Sequence, residues 1–322
     1  SRGLGDVYKR QARAWCLGGC LESAPSCFLP LHYNGKTTWI PGGAGPTSGT
    51  GVHFVGLPKV LELVLTNGFD HRMGKQILPK HNKKLNSIKA ITDQWETYLR
   101  KIIEVVNKVN NLQMDIWRKH NMPAVASLLK PDCFVKGVDL GMMGGRYNAT
   151  INFESCGTIT FINSLASLNK NVFVDKKYTL EEMVDAMLHN FGFKSSYETG
   201  VFSPDFREAT ADAKKYEKIF ADCINAPKYG NADWEADKFL KWYEDAMFPL
   251  TREYESYYGK PLYLCQISVS THGPQGFITL ADAAGRLAGT TYSDGSMSAA
   301  AGTDKNGVYA IFESACCYDH GT

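Results

Sequence analysis

The stretch LGGCLESAPSC, residues 17–27, decides how the chain is read. Cys20 stands two residues before Glu22, behind Gly18-Gly19 and ahead of Pro25. The spacing is too loose for a zinc site and too short for two residues on one helix face, where neighbours sit three or four apart. Glycine admits tight backbone paths and proline fixes the exit. The stretch is therefore read as a tight turn that presents the thiol and the carboxylate together. A single cysteine is more often a small buried residue than a reagent, so the rest of the chain has to support anything more.

Length and composition set the frame. The chain has 322 residues, enough for one large α/β domain or two smaller ones. Its formal net charge is +2 and 21% of residues are charged, which argues against the basic stripe of a nucleic-acid binder. The basic run KQILPKHNKK, residues 75–84, is read as a solvated loop. Nine cysteines are scattered without a CxxC pair, so zinc and thioredoxin signatures are missing and a reducing cytoplasm is expected. No run of eighteen apolar residues and no secretory leader is visible. Residues 1–11, SRGLGDVYKRQ, resemble a translated sequencing-adaptor scar and are set aside. Residues 12–322 are expected to be part of a single domain truncated at both ends.

Along the chain, residues 38–56 hold Gly42, Gly43, Gly45, Gly49 and Gly51 with Pro41 and Pro46, and read as a long loop. It lacks the GK[ST] of a phosphate loop. Leu57–Leu65 has helical spacing and stops at Asn67-Gly68. Residues 85–119 form the clearest helix, with Leu85, Ile88, Ile91, Trp95, Leu99, Ile102, Val106 and Val109 three or four apart. Residues 124–140 read as a short helix, a turn and a strand. Residues 146–168 begin with strand alternation and turn helical after Gly157. Thr179 and Glu182 have capping-box spacing at the start of another helix. Residues 231–259 are an amphipathic helix, and PLYLCQISVS, residues 261–270, is a buried strand. Helices alternating with single strands predict an α/β sheet or barrel.

Four polar residues interrupt this pattern. Cys20 and Glu22 share the turn, His53 lies in GVHFV, and Glu154 ends the strand-like INFESCG. Ligands of α/β sheets gather at strand ends and the loops that follow them. Each residue also has a plainer reading. A histidine among hydrophobes is commonly a hydrogen-bonded core residue, and Glu154 would suit the start of the helix after Gly157. Trp95, Trp117, Trp234 and the pair Cys316-Cys317 are read as packing. From the residues alone three readings stay open: a cysteine hydrolase with His53 as base, a cysteine used in radical chemistry, and a binding module.

Three ordered motifs narrow them. GGCLESAPS (18–26) resembles the Gly-Cys-x-Glu loop of glycyl radical enzymes. APKYGNADWEAD (226–237) is similar to that family's Lys-Tyr-Gly-Asn-Asp segment. STHGPQGFITLADAAGRLAGTTYSDGSMSAAAGTDKNGVYA (270–310) resembles its late Asp-Gly-rich stretch, departing from it at Ala284 before Arg286. FESCGT and GGAGPTSGTGVHF look like the arylacetate decarboxylase versions rather than those of diol dehydratases or choline lyases.

The resemblance implies a partial pyruvate formate-lyase-like, ten-stranded α/β barrel ringed by helices. It implies a lyase that decarboxylates 4-hydroxyphenylacetate to p-cresol and carbon dioxide. By the same resemblance Cys20 forms the thiyl radical, Glu22 is the carboxylate beside it, and His53 and Glu154 face the phenol end of the substrate. It further implies a glycyl radical as cofactor, no metal in this chain, a small iron–sulfur subunit, an S-adenosylmethionine-dependent activating enzyme, and an anaerobic, cytoplasmic oligomer. The family's Arg-Val-x-Gly-Tyr radical motif does not occur in the sequence. The polypeptide by itself is thus expected to be inactive. The competing expectations are an indoleacetate or phenylacetate decarboxylase, which would need no phenol partner, and a decayed pseudoenzyme.

Overall fold

The computed structural model describes residues 28–33, 36–41, 47–48, 52–120, 124–128, 131–139, 142, 144, 147–148, 152–203, 205–257, 259, 262–265, 270–294 and 297–318. In chain order the strands are β1 (Phe28–Tyr33), β2 (Lys36–Pro41), β3 (Thr47–Ser48), β4 (Val52–Gly56), β5 (Phe69–Asp70), β6 (Lys75–Gln76), β7 (Tyr147–Asn148), β8 (Asn152–Cys156) and β9 (Tyr263–Cys265). The helices are α1 (Leu57–Leu65), α2 (Ile88–His120), α3 (Ala124–Leu128), α4 (Pro131–Lys136), α5 (Thr158–Leu168), α6 (Leu180–Leu188), α7 (Ser196–Thr199), α8 (Ala213–Ile224), α9 (Trp234–Arg252), α10 (His272–Phe277) and α11 (Val308–Ala315). A π-helical segment, Asn169–Val174, continues α5.

The frame is a parallel sheet in the order β4-β8-β9, with β8 at its centre. A second parallel pair joins β3 to β7, and β1 with β2 forms an antiparallel hairpin. Parallel neighbours need crossover connections, and the long helical excursions between these strands supply them. One face of β8 packs on helices. Phe153 is fully buried there, and Ser155 accepts a 2.7 Å hydrogen bond from the Tyr243 hydroxyl of α9. Trp95 of α2 stacks on Phe161 of α5 at 4.5 Å and meets Trp242 and Tyr243 of α9 edge-on. Each such ring removes a large apolar area from water, worth roughly 2–3 kcal/mol, so this cluster fixes the three helices against the sheet.

Several local expectations hold. α1 ends where expected: Asn67 and Gly68 have φ of 55° and 80°, and a Cβ on Gly68 would lie 2.4 Å from the Leu78 carbonyl oxygen. α6 opens on the expected capping box. Glu182 N donates to Thr179 Oγ1 at 3.1 Å, and Thr179 N donates to Glu182 Oε2 at 2.8 Å.

Two expectations fail. Residues 38–56 are not one loop, because the end of β2, all of β3 and all of β4 lie within them. Their glycines and prolines mask strands whose partners, β7 and β8, lie about a hundred residues further on, so local composition carries no trace of the pairing. Residues 124–140 show no strand among the described residues. α4 occupies that place, with Pro131 at its first position, Asp132 in its first turn and Gly137 at φ 63° after its end. Proline is favourable at a helix start, and this signal outweighs the apolar run that suggests a strand.

Candidate active site

Strand β8 builds the site. Successive side chains point to opposite faces, so if Phe153 and Ser155 meet the helices, Glu154 and Cys156 face the other way. Glu154 is only 6% exposed, and its Oε2 has no hydrogen-bond partner among the described residues. Burial without a compensating cation pushes its pKa up to about 7. Two residues on, the buried Cys156 Sγ lies 3.3 Å from Thr271 Oγ1. Burial raises the thiol pKa, the Glu154 charge adds to this, and the Thr271 bond opposes it.

The neighbouring strands complete the wall. Phe54 of β4 and Cys265 of β9 stand directly across from Glu154. His53 is in register with Phe153. The fold thus brings the backbones of His53 and Glu154 onto adjacent strands, one position apart. Cys20 and Glu22 lie outside the described residues.

The carboxyl-terminal ends of β4 and β8 are closed by residues that sequence reasoning did not single out. A Cβ on Gly56 would lie 2.8 Å from Gln275 Oε1, and one on Gly157 would lie 2.7 Å from the Tyr292 ring. Gly157 also has φ 72°. Both glycines let the buried Tyr292 press against the strand ends, where its hydroxyl hydrogen-bonds Thr279 Oγ1. Arg286 sits 5.0 Å from the Tyr292 ring centroid and is bonded to Asp282 at 2.7 Å and to the Thr290 carbonyl at 2.7 Å. The one signal in the sequence was a glycine at the end of β4 and another just after β8.

This arrangement suits proton sharing. A carboxyl group that is half protonated near neutral pH, in a wall with little water, can give a proton to a substrate oxygen or take one from it. Among the described residues no cluster of three His, Cys, Asp or Glu side chains could hold a metal ion, and no helix is long and apolar enough to cross a membrane.

Parallel strands carry crossover helices on one face and, on the other, a buried carboxyl whose Oε2 has no hydrogen-bond partner among the described residues, which defines an α/β architecture. The chain belongs to the pyruvate formate lyase-like family, whose model matches residues 2–276. It is 72% identical over 309 residues to the 4-hydroxyphenylacetate decarboxylase glycyl radical subunit of Clostridium scatologenes, covering 96% of this chain and 34% of that protein. It is 32% identical over 322 residues to the indoleacetate decarboxylase of Tractidigestivibacter scatoligenes, covering 96% and 35%. Among solved structures, hydroxyproline dehydratase from Clostridioides difficile with trans-4-hydroxy-L-proline bound matches with a TM-score of 0.71 at 26% identity, over 85% of this chain and 32% of that one. The chain spans about a third of the length of the curated relatives it matches. The expected fold class is borne out.

Proposed function

We propose that this chain is the thiol-bearing portion of a glycyl radical lyase that decarboxylates 4-hydroxyphenylacetate to p-cresol and carbon dioxide. The observation that carries the reading is Glu154, a buried carboxyl without a hydrogen-bond partner at Oε2, with a pKa raised to about 7, on the strand beside the one that bears His53. The 72% identity to a 4-hydroxyphenylacetate decarboxylase subunit, against 32% to an indoleacetate decarboxylase, supports the phenolic substrate.

The roles follow from the chemistry. The glycyl radical, on a glycine outside the motifs of this sequence, supplies the unpaired electron when the enzyme is activated. The Cys20 thiyl takes one electron from the substrate carboxylate and becomes a thiolate, and carbon dioxide leaves a benzylic radical. Glu22 delivers a proton to the thiolate, and the restored thiol returns a hydrogen atom to the benzylic carbon, which regenerates the thiyl and releases p-cresol. Glu154 and His53 share the phenol proton, so charge and spin spread onto the ring oxygen as the carboxylate is lost. A dry site protects both radicals from quenching. An anaerobic cytoplasm, a small iron–sulfur subunit, an S-adenosylmethionine-dependent activating enzyme and an oligomeric assembly belong to the same proposal.

The test is a chimera in which residues 12–322 replace the matching third of the Clostridium scatologenes subunit, activated without oxygen and assayed for p-cresol. The expected result is turnover that Cys20→Ser abolishes and that Glu154→Gln lowers by about a hundredfold or more, the usual contribution of a positioned acid. A radical-bearing chimera without p-cresol, or full turnover by the Glu154→Gln form, sinks the reading.

A further inference from the structure

A cavity of about 660 Å³ lies between α5, the turn after α8, and the loops around residues 284–293 and 300–306. Neither Glu154 nor Cys156 lines it. We propose that this cavity is a binding site for a small anion, a carboxylate or phosphate held by Lys228 and Asn163.

Both side chains line the cavity and both are more than nine-tenths buried, Lys228 at 7% exposure and Asn163 at 1%. Lys228 Nζ donates to the carbonyls of Cys223 at 2.6 Å and Ala226 at 3.1 Å. No carboxylate among the described residues lies within ion-pair distance of it, and Asp282, which attracts it from further off, is bonded to Arg286. An ammonium has three donors, so one remains uncommitted. A buried charge without a counter-ion is costly, and burial lowers the Lys228 pKa to about 8.

Asn163 supplies the second donor. Its Oδ1 accepts from Tyr229 N at 2.8 Å, and that bond fixes which end of the amide is nitrogen. Its Nδ2 has no partner among the described residues. Asn163 and Lys228 are tied together, because Tyr229 follows Lys228 in the chain. Two buried residues with uncommitted donors in the lining of one cavity, one of them cationic, call for an acceptor-rich, negatively charged ligand. The volume lies within the range of small-molecule sites. Capping the end of α8 accounts for the two Lys228 carbonyl bonds. It does not account for the cavity or for the orphaned Asn163 nitrogen.

The test titrates the chain with inorganic phosphate and, separately, with acetate, by calorimetry and by the Asn163 side-chain amide signal in NMR. Saturable binding of either anion that moves the Asn163 amide is expected, and which anion binds names the class. Asn163→Asp keeps the oxygen that Tyr229 needs and removes the donor, so the fold should survive while binding weakens about tenfold or more. Lys228→Met should abolish binding. If neither anion moves the Asn163 amide, or if Asn163→Asp binds as tightly as the parent, the proposal is overturned. The decarboxylase reading is tested separately by the chimera, and neither Glu154 nor Cys156 lines this cavity.

Discussion

Glu62 and Glu154 are buried to nearly the same degree, at 4% and 6% exposure, yet their surroundings differ. On α1, Glu62 Oε1 takes the Lys59 ammonium at 2.6 Å and Oε2 takes the Leu280 N–H at 2.8 Å. Lys59 also reaches Asp70 at 3.0 Å. Burial raises the Glu62 pKa, and Lys59 and Leu280 work against it. On β8, burial acts on Glu154 with no described residue opposing it. The first carboxylate fastens α1 to the loop at residue 280. The second is held out of water with an oxygen still to be used. Burial alone does not separate an acid with a fastening role from a candidate for chemistry; the partners do.

The largest effect that bears on this contrast is at Glu62. Glu62→Ala removes the bonds to Lys59 and to the Leu280 N–H, while Lys59 keeps Asp70, so a loss of about 3 kcal/mol is expected in denaturant unfolding. A loss below about 1 kcal/mol would erase the distinction between the two acids.

Glu154 should behave in the opposite sense. Its folded pKa of about 7 lies above the ordinary 4.5, so between these values the folded chain binds more protons than the unfolded one. Stability from this group is present below about pH 4.5 and is lost as pH rises through 7, by about 3 kcal/mol at most. Glu154→Gln should flatten that slope between pH 5 and 8 and make the chain more stable at pH 8. An unchanged pH profile would mean that Glu154 is ionised and paired. The smallest effect sharpens the comparison from the exposed side. The Thr179–Glu182 box is fully bonded but lies at the surface. Thr179→Ala should lower stability by about 1 kcal/mol, measured by thermal melting.

Periodic signals were legible from the residues. α2 starts three residues after and ends one residue beyond its expected span because Ile91, Trp95 and Leu99 repeat along one face. Thr179 and Glu182 announce their cap because both partners lie within one turn. The run from strand β8 into α5 was readable because alternation gives way to continuous helix at Gly157. β4 was not, although Val52, Phe54 and Val55 suit a strand, since the glycines before it dominate any local window.

The candidate site divides in the same way. The motif around Cys20 and the carboxylate at Glu154 stand out in the sequence as polar residues where turns or apolar strands are expected. Legible in the residues were this cast of candidates and the family to which the chain belongs, because motifs and periodicity are local. Three-dimensional packing alone leaves Glu154 Oε2 without a partner among the described residues while Glu62 has two, and brings Thr271 to Cys156 across 115 positions of chain. It alone set Tyr292 against Gly56 and Gly157, and placed Asn163 and Lys228 in the lining of one cavity. Partners are chosen by long-range packing, and a side chain's pKa and its bonding follow from those partners.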